Sequence, residues 1–178
     1  MIAHKYLPSY TYEDYLHWEG RWELIDGIPF AMSPMPSPSH QKISGNLHYT
    51  FLNVLKNKNT CRCDVYQPID LKISEQTIVN PDLLIVCKPI IKQFLDFPPE
   101  LVVEILSPST AVKDRTTKYD LYEAFKIKYY LIIDIDKNLI QTFELSADGK
   151  YEMRPSSNQT FEFNEGCKIE VDLSGIFG

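Results

Sequence analysis

A chain of 178 residues with 44% hydrophobic and 12% aromatic content fits a single folded domain, 1–178, and excludes long disordered stretches. Its formal charge of −6 argues against a protein whose main business is clamping a nucleic-acid backbone tightly and without sequence preference, because that work calls for a basic surface. No run approaches the length of a membrane span and "MIAHKYLPSYTYEDYLHWEG" lacks the apolar centre of a signal peptide, so a cytoplasmic, membrane-free protein is expected.

Along the chain, Thr11 and Asp14 have capping-box spacing, and Tyr12, Tyr15 and Leu16 give a short apolar stripe, which predicts a first helix over about residues 11–18. In "RWELIDGIPFAMSP" the side chains alternate on either side of Asp26-Gly27, the strongest two-residue hairpin signal. The Pro- and Ser-rich "PMPSPSHQ" is expected to be an ordered loop. It leads into an amphipathic helix from about His40 to Lys56, with Ile43, Leu47, Phe51, Val54 and Leu55 on one side. After Cys61 the chain reads as extended through "DVYQPIDLKI", turns near Ser74–Gln76, and continues through "IVNPDLLIV" into the aliphatic run "LVVEIL".

"SPST" ends that strand and starts a helix over about Val112–Lys126, followed by the strand "YYLIIDI", a turn at Asp136–Asn138 and the strand "LIQTFEL". The last thirty residues give short strands and turns. This order describes an α/β protein, one sheet with helices packed against it. The four cysteines, at 61, 63, 87 and 167, match neither paired zinc knuckles nor a redox C-x-x-C, so reduced structural thiols are expected. "KNKN" at 56–59 and "KDRTTK" at 113–118 could form local basic patches or be solvated lysines at helix ends.

Glu104 stands out, because five of the six residues from Leu101 to Leu106 are aliphatic and a carboxylate buried among them needs a cation, a proton or hydrogen-bond donors. Asp82, at the start of "DLLIV", can converge with it if the two strands are neighbours, and two such acids repel unless a cation lies between them. Carboxylates with a backbone carbonyl and waters suit Mg²⁺ or Mn²⁺. At helical spacing Lys118 shares a face with Leu121, Tyr122 and Phe125, so its ammonium points inward. Plainer readings exist for each: Asp82 capping a strand end, Glu104 protonated or paired with an arginine, Lys118 snorkelling or paired with Asp114. Taken together, the three point to a divalent-metal site.

The succession P-D, an aliphatic strand with E, "SPST", D and K, "LYE" and "YYLIID", together with "WELIDGIPFAMSPMPSPSHQKISGNL", resembles the Uma2 (Uma-two) family of endonucleases within the PD-(D/E)XK restriction-endonuclease-like superfamily. The resemblance runs from residue 11 to about residue 145. It implies a restriction-endonuclease-like fold, a central mixed β-sheet flanked by α-helices with an N-terminal helix and β-hairpin. It also implies a Mg-dependent DNA endonuclease with DNA as partner, and because two-fold dimers are common for nucleases that cut two strands, a homodimer is the expected assembly. By the same resemblance Asp82, Glu104 and Lys118 are the catalytic residues, and Asp82, Glu104 and the main-chain carbonyl of Ile105 hold Mg²⁺ or Mn²⁺. His40 and Glu23 fall on family positions near the cleft, as accessory residues for substrate or water, or as an ordinary helix-start histidine and surface hairpin glutamate. The superfamily's usual lysine, two residues after the second acid, is here Leu106, and Lys118 on the next helix takes its place. "AFKIKYY" lacks the glycine that the family usually has before its next strand. A catalytically silent nuclease-fold module for nucleic-acid binding or dimerisation is the alternative, and hydrolysis of another phosphate substrate is a third reading.

Overall fold

The computed structural model describes residues 8–32, 35–155, 159–163 and 166–178, so the leader reading of residues 1–7, the start of the Pro/Ser loop and parts of the C-terminal turns lie outside the described residues. In chain order the elements are α1 (Tyr12–Tyr15), β1 (Trp22–Ile25), β2 (Ile28–Ala31), α2 (Pro38–Lys56), β3 (Asp64–Tyr66), β4 (Leu71–Ser74), β5 (Thr77–Val79) and β6 (Leu83–Val86). They continue with β7 (Leu101–Ile105), α3 (Ala111–Arg115), α4 (Thr117–Ala124), β8 (Tyr129–Asp134), β9 (Leu139–Leu145), β10 (Tyr151–Arg154), β11 (Gln159–Glu162) and β12 (Lys168–Val171), and close on a 3₁₀ turn at Ser174–Phe177. The described strands form a four-, a six- and a two-stranded sheet, in place of the single sheet expected. The chain divides into two compact units, residues 1–36, 69–80 and 90–97 making the first and the remainder the second.

In the first unit, Asp26 and Gly27 both take positive φ, 51° and 77°, the geometry that a two-residue turn needs to match the twist of its strands, and β1 pairs antiparallel with β2. β1 also pairs with β5 at Leu24 and Ile78, and β5 with β4, giving the order β2-β1-β5-β4. This is why the extended stretch after Cys61 does not enter one sheet: β4 and β5 turn back on each other and join the hairpin. The Asp14 carboxylate accepts from both the N–H and the hydroxyl of Thr11, at 2.8 and 2.9 Å, and caps α1 as expected. That helix stops at Tyr15, and Trp18, beyond it, packs edge-on against Tyr10, Tyr15 and Trp22.

In the second unit, the mixed sheet has the order β10-β9-β8-β7-β6-β3, with β7 and β8 parallel and every other neighbour antiparallel. The parallel pair is joined by α3 and α4, the crossover that parallel strands require. Side chains alternate along β7. Leu101, Val103 and Ile105 join the core that holds Ile43, Leu47, Phe51 and Leu55 of α2, while Val102 and Glu104 face the other side, toward α4. Helices therefore cover both faces, and all five residues of β7 are buried. α2 starts two residues earlier than predicted because Ser37 caps it, its Oγ accepting from His40 N at 3.2 Å, and Pro38 fits the first turn, where no N–H is needed.

Three local details depart from the expectation. The helix predicted over Val112–Lys126 is two helices, broken at Thr116 (φ −124°, ψ −80°), whose hydroxyl donates to Val112 O at 2.7 Å. Adjacent β-branched Thr116 and Thr117, with a side chain competing for a backbone carbonyl, weaken the helix there. The missing glycine is replaced by Lys126 itself at φ 65°, with Ile127 N on Tyr122 O and Lys126 N on Glu123 O, both 3.1 Å, the paired bonds of a Schellman cap.

The third departure is a correction: the cysteines are not free thiols but two disulfides, Cys61–Cys167 and Cys63–Cys87. The second follows from the sheet, since Asp64 pairs with Val86, and one residue further the antiparallel register sets Cys63 opposite Cys87. Spacing along the chain carried no trace of that register. Among the described residues no helix is long and apolar enough to cross a membrane.

Candidate metal and phosphodiester site

β6 and β7 run antiparallel with Leu83 opposite Val103 and Leu84 opposite Val102, so Asp82 and Glu104 sit at the same end of neighbouring strands. Asp82, one residue before β6, donates its N–H to Val103 O at 3.1 Å. Its side chain turns to the end of β7, where Oδ2 accepts the N–H of Ile105 at 2.8 Å. The same oxygen lies 3.3 Å from Nε2 of His40, in the first turn of α2. The first turn of α2 thus brings the imidazole of His40 to this carboxylate.

Glu104 pairs in register with Ile132 of β8 and is 3% exposed. The burial of this carboxylate is compensated by two donors: Oε1 accepts from Lys118 Nζ at 2.8 Å and from the hydroxyl of Tyr122 at 2.6 Å. Lys118 and Tyr122 are one turn apart on α4 and both are buried, so one helix face delivers both donors. Lys118 Nζ also lies 3.5 Å from Oδ1 of Asp114, buried on α3. Tyr130 donates its hydroxyl to Asp114 O at 2.8 Å and packs edge-on against Tyr122 at 5.1 Å. Burial, reinforced by the charges of Glu104 and Asp114, pushes the Tyr130 hydroxyl well above its ordinary pKa, so this phenol is a donor at any working pH.

The structure thus brings Glu104 and Lys118 into contact and ties Asp82 to the residue that follows Glu104, with His40 beside it. Ile105 ends β7 between them, its N–H already used by Asp82. Glu23 belongs to the first unit. It is a fully buried residue rather than a surface glutamate, and its Oε1 accepts the N–H of Asn80 at 3.1 Å. Lys118 bonds Glu104 and lies near Asp114, the residue of the plainer pairing.

The "KDRTTK" segment is no solvated basic patch, since Lys118 is buried and Arg115 pairs with Asp134 at 3.0 Å, whereas Lys56 and Lys58 of "KNKN" are exposed at the end of α2. The hydroxyl of Tyr122 is the member that pattern reading passed over. The K-x-x-x-Y spacing already placed it on the face of Lys118, but a tyrosine in an apolar stripe reads as core.

Two carboxylates and a strand-end carbonyl are an oxygen donor set, which suits Mg²⁺ or Mn²⁺, ions held by one or two carboxylates with waters completing the shell. The bonds to Ile105, His40, Lys118 and Tyr122 use Oδ2 of Asp82 and Oε1 of Glu104. Among the described residues no cluster of three or more His, Cys, Asp or Glu is placed to hold an ion. Two acids alone make the sparse kind of site that Mg²⁺ accepts, whereas Zn²⁺ calls for three or four protein ligands.

Residues 12–174 match the family model Uma2, described as "Putative restriction endonuclease". A protein of Synechocystis sp., itself uncharacterized, is 34% identical over 165 residues, covering 85% of this chain and 84% of that protein. The crystal structure of a protein from Anabaena variabilis, described as a "putative nuclease", superposes with a TM-score of 0.74 at 15% identity over 94% of this chain and 97% of that one. The shared fold is the restriction-endonuclease-like one, a mixed sheet between helices. With nearly its whole length matched, from the first helix to the 3₁₀ turn at the C-terminus, the chain belongs to the Uma2 family.

Proposed function

We propose that this protein is a metal-dependent endonuclease that hydrolyses phosphodiester bonds in DNA. The observation that carries the reading is that Asp82 and Glu104 lie at the same end of neighbouring strands, with the buried ammonium of Lys118 on Glu104. The family description and the description of the Anabaena structure support it. Asp82, Glu104 and the carbonyl of Ile105 would hold Mg²⁺ or Mn²⁺, which when bound polarises the scissile phosphate and lowers the pKa of water.

The chain's own residues supply the rest. His40 and the Ile105 N–H keep the Asp82 carboxylate in one orientation. Lys118 is held by Glu104 until substrate arrives, then orients the attacking water or meets the negative charge that grows on the phosphate. Products would carry a 5′-phosphate and a 3′-hydroxyl, and a homodimer would serve to cut both strands of a duplex. A cytoplasmic site of action fits DNA as the substrate. The two disulfides are the observation against it, since cytosolic thiols are kept reduced.

The test is cleavage of plasmid DNA in Mg²⁺ by wild-type and Glu104→Gln protein of equal fold content. The variant loses activity by a factor of about 100 or more, on the order expected when a group acting on the transition state is removed. Cleavage at the wild-type rate by the variant refutes the mechanism. One observation favours the silent-module reading: Lys118, with acids at 2.8 and 3.5 Å, is also what a purely structural buried ion pair looks like. Calorimetric titration with Mn²⁺ separates the two, since a structural pair gives no binding that depends on Asp82.

A further inference from the structure

We infer that Tyr122 is a positioning residue whose hydroxyl aims the Glu104 carboxylate for metal binding, a task that Lys118 on the same oxygen cannot perform. The inference rests on the reading of Asp82 and Glu104 as the metal-holding acids. Both donors reach Oε1, the hydroxyl at 2.6 Å and the ammonium at 2.8 Å, yet they act differently on a metal ligand. An ammonium cancels the charge that attracts the cation. A neutral phenol orients the carboxylate and leaves its charge intact.

The ammonium also has a second acid near it, Asp114 Oδ1 at 3.5 Å, so it can leave Glu104 without leaving its pocket. The phenol is fixed: Tyr122 is 0% exposed and its ring stands edge-on to Tyr130, which is itself anchored by its hydroxyl to Asp114 O at 2.8 Å. A hydroxyl at full burial is costly without an acceptor, and a phenylalanine would fill the same space. The acceptor is Glu104, and the polar atom is kept for it.

The experiment is titration of the metal-free protein with Mn²⁺ by calorimetry, for wild type, Tyr122→Phe, Tyr151→Phe and Glu104→Gln, followed by DNA cleavage over a range of Mn²⁺ concentrations. Tyr151 is a matched control, a buried tyrosine whose hydroxyl donates to Ile127 O at 2.8 Å. Tyr122→Phe weakens Mn²⁺ binding by about tenfold or more, the usual cost of losing a partner behind a metal ligand. Its KM for DNA is unchanged and its kcat returns toward wild type as Mn²⁺ is raised. Tyr151→Phe binds Mn²⁺ as wild type does.

An Mn²⁺ affinity of Tyr122→Phe within about twofold of wild type overturns the inference, and so does an equal loss in Tyr151→Phe. Should Tyr122→Phe fail to fold, Lys118→Gln decides: with the ammonium gone and the phenol in place, Mn²⁺ binds at least as tightly as in wild type, and weaker binding refutes the assignment. If Glu104→Gln abolishes binding while Tyr122→Phe does not alter it, only this inference falls. If wild type and Glu104→Gln bind alike, or neither binds, the metal reading fails and the inference with it.

Discussion

Replacing Lys118 by methionine tests whether the buried pair shapes the stability of this fold as well as its chemistry. Nζ and Oε1 are 2.8 Å apart, and the two side chains are 2% and 4% exposed. At an effective dielectric of about 20, that separation corresponds to about 6 kcal/mol of attraction, most of which offsets the cost of taking both charges out of water. The net worth of the pair against an apolar pair is therefore small. Its disruption is another matter, because the Lys118→Met variant would leave Glu104 and Asp114 as buried carboxylates without the ammonium between them.

Loss of one partner costs about 3–5 kcal/mol, a large fraction of the roughly 5–15 kcal/mol that holds an ordinary domain together. Combining Glu104→Gln with Lys118→Met recovers part of this, since the uncompensated charge of Glu104 is gone while that of Asp114 stays. The assay is urea unfolding of metal-free wild type, both single variants and the double, followed by circular dichroism. A Lys118→Met midpoint equal to wild type, or a double variant as weak as the sum of the singles, refutes the reasoning.

Two further predictions concern the staples and a turn. The disulfides Cys61–Cys167 and Cys63–Cys87 span separations of 106 and 24 residues, and on a chain-entropy basis closing those loops contributes about 5 and about 3.5 kcal/mol. Reduction by a phosphine should lower the unfolding midpoint sharply, and in the oxidised protein Cys61→Ser should lower it more than Cys63→Ser; coincident curves for reduced and oxidised protein would exclude the pairing. Lys126→Gly relieves a side chain at φ 65° and should stabilise the fold by about 0.5–1 kcal/mol, read as a rise in Tm; a fall would show that Lys126 makes contacts worth more than the backbone relief.

What the sequence determined by itself is what depends on neighbours along the chain. Asp26-Gly27 could only be a tight turn, the aliphatic run around Glu104 could only be a strand buried on both faces, and helical spacing turned Lys118 inward next to Tyr122. Those features follow from backbone freedom and side-chain period, which operate over a few residues. The tertiary structure alone decided which distant groups meet. It set Asp82 against the Ile105 N–H and His40, sent β4 and β5 to the hairpin while β3 and β6 joined the larger sheet, buried Glu23 beneath Asn80 N–H, and matched Cys63 with Cys87 and Cys61 with Cys167. The reason is physical: register and sheet membership come from the summed burial of many side chains, and no short stretch of residues contains that sum.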